Sequence, residues 1–326
     1  MIQPSIVDIE LTNLCNLACG FCLRHDMTRP KGTMDLELFK NIIDELAGFD
    51  FPTWGKVIIA GFGEPTLHPR FTEAVAYATS TGLPLRIYTN ATGLNTTIVH
   101  ALLHPGVQAL KLSINAHGAE MSTRVTGRRI SWEGFVEGII LLMRERIARD
   151  NGPQITLQLL STAQLSAAVR KREMAVLNTP QMALQAIKYW QAQSLKLAKE
   201  TGVPSMVAPV KESDIRVGKV IDLFETIKLK MCPYLPYRTH FDATRDFPSG
   251  LDFGSCARHF NNLVIFWDGA CTPCCTDVDC HMYLGNVNLS SVKEVFNACA
   301  AVENRRKWSA GQIPSELCQI CLSEGA

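Results

Sequence analysis

The chain has no apolar run of the ~18 residues needed to span a bilayer. Its start, Met1-Ile2-Gln3-Pro4, has neither a charged n-region nor an h-region. It also lacks an excess of either charge: 32 basic and 31 acidic residues leave a formal net charge of +1, with no basic tract to track a phosphate backbone. Neither a membrane nor a nucleic acid is an expected partner, and the expected location is cytoplasmic. There is no internal repeat and no low-complexity segment. Cysteine is missing from Leu23 to Met231.

What is present points to an enzyme-sized globular chain. With 326 residues, 47% of them hydrophobic, it can bury a sizeable core and is long enough for roughly two domains. It holds twelve cysteines, three near the start and nine between Cys232 and Cys321. In a cytoplasmic chain of this size, such cysteines read as metal-binding or catalytic rather than as a disulfide framework. Their two separate groups imply two separate metal centres.

Cys15, Cys19 and Cys22 are spaced x3 and x2 and come after the apolar segment Ile6 to Leu11. Three thiolates can hold one metal centre but cannot close a four-thiolate site. Structural zinc sites are normally closed, whereas working metal sites keep a vacancy. Soft thiolates with a vacancy lean toward an iron-sulfur cluster; a zinc knuckle is the alternative.

The intervening chain alternates apolar strands with amphipathic helices. Strands are expected at Ile6–Leu11, Lys56–Ala60, Leu85–Thr89, Ala109–Ile114 and Ile155–Leu160, with Ser205–Val210 as a sixth. Helices are expected from Asp35, over Phe71–Thr81, Asn95–Leu103 and about Trp132–Arg149, and over most of Thr179–Thr201. Parallel β/α units place function on the loops after the strands. Three notable stretches lie there: Gly61-Phe62-Gly63-Glu64-Pro65, Thr89-Asn90 and Ser113-Ile114-Asn115. Glycines admit close backbone approach, and a carboxylate accepts from an ammonium group. His25, His68, His104 and His117 lie on loops of the same half and receive no role.

Cys15-x3-Cys19-x2-Cys22, with Phe21 before the last cysteine, resembles the cluster motif of the radical S-adenosylmethionine (SAM) superfamily. The resemblance implies a partial (β/α)6 TIM-like barrel of α/β class. It implies a 4Fe-4S cube whose fourth iron is chelated by SAM, and reductive cleavage of SAM to a 5'-deoxyadenosyl radical that abstracts a hydrogen atom. Gly61, Gly63 and Glu64 resemble the GGEP motif that binds the SAM amino group, with Phe62 in place of a glycine. Ser113 and Asn115 resemble the ribose-binding motif, where Asn115 stands for the commoner Asp and keeps an acceptor oxygen. Asn90 falls at another position often near the cofactor, and Phe21 would pack near the adenine.

Cys256-x12-Gly269-x4-Cys274 resembles the entry to the SPASM and twitch extensions of that superfamily, and Leu284–Val287 with the helix around Val292–Phe296 resembles the next stretch of those extensions. Cys256, Cys274, Cys318 and Cys321 make four soft ligands for one auxiliary 4Fe-4S cluster. Only five residues come after Cys321, which favours the single-cluster twitch form. Cys271 could instead pair with Cys274 as a C-x2-C half, with Cys275 and Cys280 nearby, and a zinc ribbon is a further alternative for the region. Otherwise Cys232, Cys275, Cys280 and Cys299 remain over and read as small apolar residues. The expected division is a core barrel over 1–230, then a linker and a small α+β cluster domain over 231–326, with Cys232 to Phe253 as a linker or substrate loop.

A fully thiolate-ligated auxiliary cluster has no open iron, so its expected use is as an electron acceptor. The expected activity is a radical SAM oxidoreductase that dehydrogenates a small polar metabolite such as an aminocyclitol or sugar alcohol. An external donor such as flavodoxin or ferredoxin would supply electrons. The chain opens directly on the first strand, which favours a small polar substrate or a leader-independent protein target as the expectation. A maturase acting on a peptide or protein, by crosslinking or formylglycine-type oxidation, is the second expectation; a non-catalytic zinc-binding module is the third. Anaerobically purified protein is expected to be brown and to carry roughly eight irons per chain from two cubanes. A colourless zinc protein would overturn both enzyme readings.

Overall fold

The computed structural model describes residues 1–161, 177, 179–215, 218–233 and 256–323, with backbone alone for 161, 233 and 320–323. In chain order the first elements are β1 (Ile6–Ile9), α1 (Leu36–Ala47), β2 (Lys56–Ile59), α2 (Phe71–Ser80), β3 (Leu85–Thr89) and α3 (Thr96–Leu102). Next come β4 (Val107–Ser113), α4 (Ala119–Thr126), α5 (Trp132–Ile147), β5 (Gln154–Ser161), α6 (Pro180–Thr201), β6 (Val220–Phe224) and β7 (Ile227–Pro233). The C-terminal segment holds α7 (Arg258–Asn261), β8 (Asn262–Ile265), β9 (Ala270–Thr272), β10 (Gly285–Asn286), α8 (Val292–Phe296), α9 (Cys299–Ser309) and α10 (Glu316–Ser323).

The chain forms two units. One takes residues 1–15 and 26–85 with the C-terminal segment; the other takes 16–25 and 86–233. In the first, strand order is β10-β9-β8-β1-β2. β2 and β8 flank β1 in parallel, with Ile6 opposite both Lys56 and Asn262. All four residues of each of these three strands are buried. Strands covered on both faces read as short continuous apolar runs, which is why these segments were legible in the sequence. β9 and β10 continue the sheet in antiparallel fashion. The C-terminal segment thus donates its first strand to the edge of β1.

α1 packs Leu36, Phe39, Ile42, Ile43 and Leu46 inward at helical spacing. Asp35 caps its start by accepting from the Glu37 and Leu38 N–H groups, 2.9 and 3.2 Å away.

In the second unit the order is β3-β4-β5-β7-β6, with β4, β5 and β7 parallel and β6 antiparallel to β7. The sixth parallel position differs from the sequence expectation: β7 fills it, while Ser205–Val210 is irregular. Pro204 and Pro209 remove backbone donors from that stretch. By contrast, Ile227, Leu229 and Met231 are buried at alternate positions, the period-2 signal of a half-buried strand. The expected linker or substrate loop lies outside the described residues from 234 to 255. Among the described residues, no helix is long and apolar enough to cross a membrane.

α6 begins at an N-cap, Thr179, followed by Pro180, and ends at Gly202 with φ of 73°. Its Trp190 is fully buried beside Trp132 and Tyr189 and donates from Nε1 to the Ala116 carbonyl at 3.1 Å. That bond ties the helix to the loop after β4. Trp190→Phe, which leaves the carbonyl unpaired, is expected to cost about 1–3 kcal/mol; Trp190→Ala is expected to cost about 3–5 kcal/mol. Denaturant melts check both, and a Trp190→Phe variant as stable as the wild type would show that the hydrogen bond contributes nothing.

Candidate cluster and cofactor sites

The first cysteine loop lies after β1. Cys15 closes the opening segment of the first unit; Cys19 and Cys22 belong to the second. All three are half-buried. Within residues 16–25 the loop is wound tightly: the Cys22 N–H bonds the Cys19 carbonyl at 2.9 Å, and His25 Nε2 lies 3.0 Å from that same oxygen.

The loop is also tied down within its unit. The Ala18 N–H donates to the Thr126 carbonyl at 2.8 Å. Asn16 donates to Thr92 Oγ1 at 2.8 Å and accepts from Asn90 Nδ2 at 3.0 Å, while Asn90 Oδ1 accepts from the Thr92 hydroxyl at 2.6 Å. Asn90, singled out as a cofactor neighbour, therefore also anchors the loop that carries Cys19 and Cys22.

In the first unit, Gly63 lies hard against β1's exit: a Cβ there would collide with the Thr12 carbonyl. Its bareness thus serves chain packing. The Glu64 N–H bonds the Leu14 carbonyl at 2.8 Å. The Glu64 side chain is buried, and its Oε1 accepts from the Thr66 N–H and hydroxyl at 3.2 and 2.7 Å. Phe62 is buried, and its N–H donates to Glu10 Oε2 at 3.1 Å.

In the second unit, Ser113 is exposed at the end of β4. Asn115 is buried in the left-handed region, with φ of 33°, and its Oδ1 accepts from the Leu160 N–H at 2.9 Å. That oxygen, expected for the ribose, already joins the β4 loop to β5. Phe21 is half-buried. Of the loop histidines, His117 has its pKa lowered by burial.

The second cysteine group is built around a residue that sequence reading missed. Arg258, on α7 two residues after Cys256, is buried and donates from Nη1 to Cys274 Sγ at 3.0 Å. Burial alone would lower its pKa, but Cys275, Cys274 and Cys256 as thiolates raise it well above the ordinary arginine value. Cys274 Sγ also lies 3.0 Å from Thr276 Oγ1. Beside Arg258, His259 Nε2 is 3.4 Å from Cys318 Sγ, and the Ser315 hydroxyl donates to that sulfur at 3.2 Å. Burial, then the Arg258 and Arg305 charges, push His259 down to about 4.

Cys271 and Cys280 stand in a different environment. Burial and the other thiol raise the Cys271 pKa, and burial with Asp277 raises Cys280 to about 12. Asp277, also unforeseen, is buried beneath this turn and accepts from Thr272 Oγ1 at 2.6 Å and from the His281 and Met282 N–H groups at 2.8 Å. A single Asp in Cys-rich sequence carries no spacing signal. Arg258 had one, its place two residues after Cys256. The Cys321 side chain lies outside the described residues.

Among the described residues, no group of three or more His, Cys, Asp or Glu side chains is drawn to one point at metal-holding distance. The fit to iron-sulfur chemistry is one of donor type and electrostatics: soft thiols, and a buried cation set among the second group to offset thiolate charge.

The fold and these thiols define a β/α protein of the iron-sulfur class. Residues 9–159 match the model of the Radical SAM superfamily, and residues 256–322 match that of an iron-sulfur cluster-binding domain, SPASM. The chain belongs to the radical SAM superfamily and carries a C-terminal SPASM domain. Its cofactors are accordingly SAM, a SAM-binding 4Fe-4S cluster and an auxiliary 4Fe-4S cluster.

The chain is 35% identical over 107 residues to the "tungsten-containing aldehyde ferredoxin oxidoreductase cofactor-modifying protein" of Pyrococcus furiosus, covering 33% of this chain and 30% of that one. It is 32% identical over 124 residues to the mycofactocin maturase MftC of Mycobacterium ulcerans, covering 38% and 32%. The match thus spans about a third of the length of these relatives. The fold is similar to that of BtrN, solved with AdoMet and 2-DOIA, at a TM-score of 0.51 and 16% identity over 94% of this chain and 87% of that one.

Gly127, in the left-handed region at φ of 65°, sits where a Cβ would strike the Ala18 carbonyl of the cysteine loop. Gly127→Ala is expected to lose about 1 kcal/mol or more and to lower iron loading of the first cluster. Melting and iron analysis check this; full loading with unchanged melting would contradict it.

Proposed function

We propose that Cys15, Cys19 and Cys22 hold the SAM-binding cluster. Gly61, Gly63 and Glu64 receive the amino group of SAM, Ser113 and Asn115 face its ribose, Asn90 lies near the cofactor, and Phe21 packs near its adenine. Cys256, Cys274, Cys318 and Cys321 hold the auxiliary cluster. When bound, these groups supply hydrogen-atom abstraction and one-electron transfer.

The rest is the work of the chain. Gly63 and Glu64 are held to the end of β1 through the Thr12 and Leu14 carbonyls, which keeps the turn in place for an ammonium group. Arg258 offsets thiolate charge at the auxiliary site and donates to Cys274, and His259 and Ser315 orient Cys318. The buried Arg258 guanidinium, donating to Cys274 Sγ at 3.0 Å, is the observation that carries the functional reading. A buried positive charge eases the arrival of an electron at a thiolate-ligated centre, as an electron acceptor requires.

The activity we propose is dehydrogenation: the substrate loses two hydrogens, one as an atom and one as a proton with an electron. A small polar metabolite such as an aminocyclitol or sugar alcohol is the first substrate class, and BtrN, solved with 2-DOIA, shares the fold. The likeness to MftC over 124 residues favours a second reading, maturation of a peptide. Electrons would come from a flavodoxin or ferredoxin.

The test is anaerobic incubation of the holoenzyme with SAM, a reductant, and either deuterated polyols and aminocyclitols or candidate peptides. One 5'-deoxyadenosine carrying deuterium per substrate oxidised by two hydrogens is the expected result. Redox-neutral conversion of the true substrate would overturn the oxidoreductase reading.

A further inference from the structure

Glu10, one residue beyond β1, is buried and joins three separate stretches of the first unit. Its Oε1 and Oε2 accept from Arg29 Nη1 and Nη2 at 2.8 and 2.7 Å, a bidentate ion pair. Oε2 also accepts from the Phe62 N–H at 3.1 Å, in the middle of the Gly61–Pro65 turn. Arg29 in turn reaches the SPASM segment: its Nε donates to the Val278 carbonyl at 2.6 Å, and its guanidinium lies 3.9 Å from the centre of the Phe266 ring.

The backbone around Arg29 is fixed by the same segment. The Thr28 and Arg29 N–H groups donate to Asp279 Oδ1 at 2.7 and 3.0 Å, and Trp267 Nε1 donates to the Pro30 carbonyl at 3.2 Å. None of these contacts is to a candidate cluster ligand. A buried ion pair gives little net stability over a well-packed apolar pair, so its bidentate geometry is better explained by what it positions. What it positions is the Phe62 N–H, at the place where the superfamily pattern has glycine.

We propose that Arg29 is a positioning residue for SAM: through Glu10 it sets the Gly61–Pro65 turn, and through Val278 and Asp279 it makes that setting depend on the SPASM segment. The proposal rests on the reading that this turn binds the SAM amino group. Lysine cannot replace Arg29, because one ammonium cannot span both Glu10 oxygens and the Val278 carbonyl with fixed geometry. By linkage, whatever the SPASM segment contributes to SAM affinity, SAM returns to the order of that segment.

The test is SAM titration of the anaerobic, cluster-replete full chain by calorimetry, with iron content and the electron paramagnetic resonance (EPR) spectra of both clusters as parallel readouts. Arg29→Lys is expected to weaken SAM binding about tenfold or more, with kcat at saturating SAM, iron content and the auxiliary-cluster spectrum unchanged. Asp279→Ala is expected to weaken SAM binding by a smaller factor, again with both clusters intact. Wild-type SAM affinity in either variant overturns the proposal. A joint fall of melting temperature, iron content and affinity overturns it too, because the pair would then be only a structural support. Glu64→Gln separates this proposal from the reading beneath it. If Glu64→Gln binds SAM as the wild type does, the turn is not the SAM site and that reading fails. If Glu64→Gln weakens binding while Arg29→Lys does not, only the positioning role fails.

Discussion

A positive charge taken out of water must be met by negative charge or by acceptors held in place, and two arginines of the first unit meet this demand in different ways. At Arg29 the partner is a buried carboxylate, Glu10, helped by the Val278 carbonyl and the Phe266 ring. At Arg258 the partners are sulfurs, Cys274 by direct hydrogen bond and Cys256 and Cys275 through their charge. The first pairing is complete within the polypeptide. The second is strengthened when the thiols are ionised, which is the state in which thiols bind iron. The two arginines thus mark where the chain closes on itself and where we propose that a metal cluster is held.

Strand order gives these charges their neighbours. β8 lies beside β1 in register, with Asp8 opposite Val264 and Ile9 opposite Ile265. The exits of β1 and β8 therefore leave the sheet together, and the loop after β1, the turn after β2 and the turn around Val278 meet at Glu10. In the second unit the loop after β3 performs a similar service, since Asn90 and Thr92 hold Asn16. Function at the ends of parallel strands is a consequence of the β/α repeat; which loops touch is decided by strand order.

The repeat itself was legible because β1 and β2 are short, mostly apolar runs, β5 sets Ile155, Leu157 and Leu159 at alternate positions, and α1 and α5 carry their apolar residues at helical spacing. The sixth parallel strand was not, because Ser205–Val210 is as apolar as Ile227–Pro233. Only the period-2 burial and the prolines separate them, and burial requires the tertiary partner. The cysteine groups and the two superfamily segments could be read from spacing. The roles of Arg258, Asp277 and the Glu10–Arg29 pair could not, because each depends on contacts between residues far apart in the chain; Arg29 and Asp279, for example, are 250 positions apart. The Asn115 oxygen shows a related limit: residue type identifies an acceptor, but its bond to Leu160 shows that the fold already uses it.

The central claim is that two cysteine sets hold two clusters and that only the first engages SAM. The most direct measurement is EPR of the anaerobically reduced full chain, with and without SAM, on two variants. In one, Cys15, Cys19 and Cys22 are replaced by Ala; in the other, Cys256 and Cys274 are replaced. The account predicts that each variant keeps one 4Fe-4S signal, and that SAM changes the signal of the second variant but not that of the first. A SAM-sensitive signal that survives loss of Cys15, Cys19 and Cys22 would contradict it.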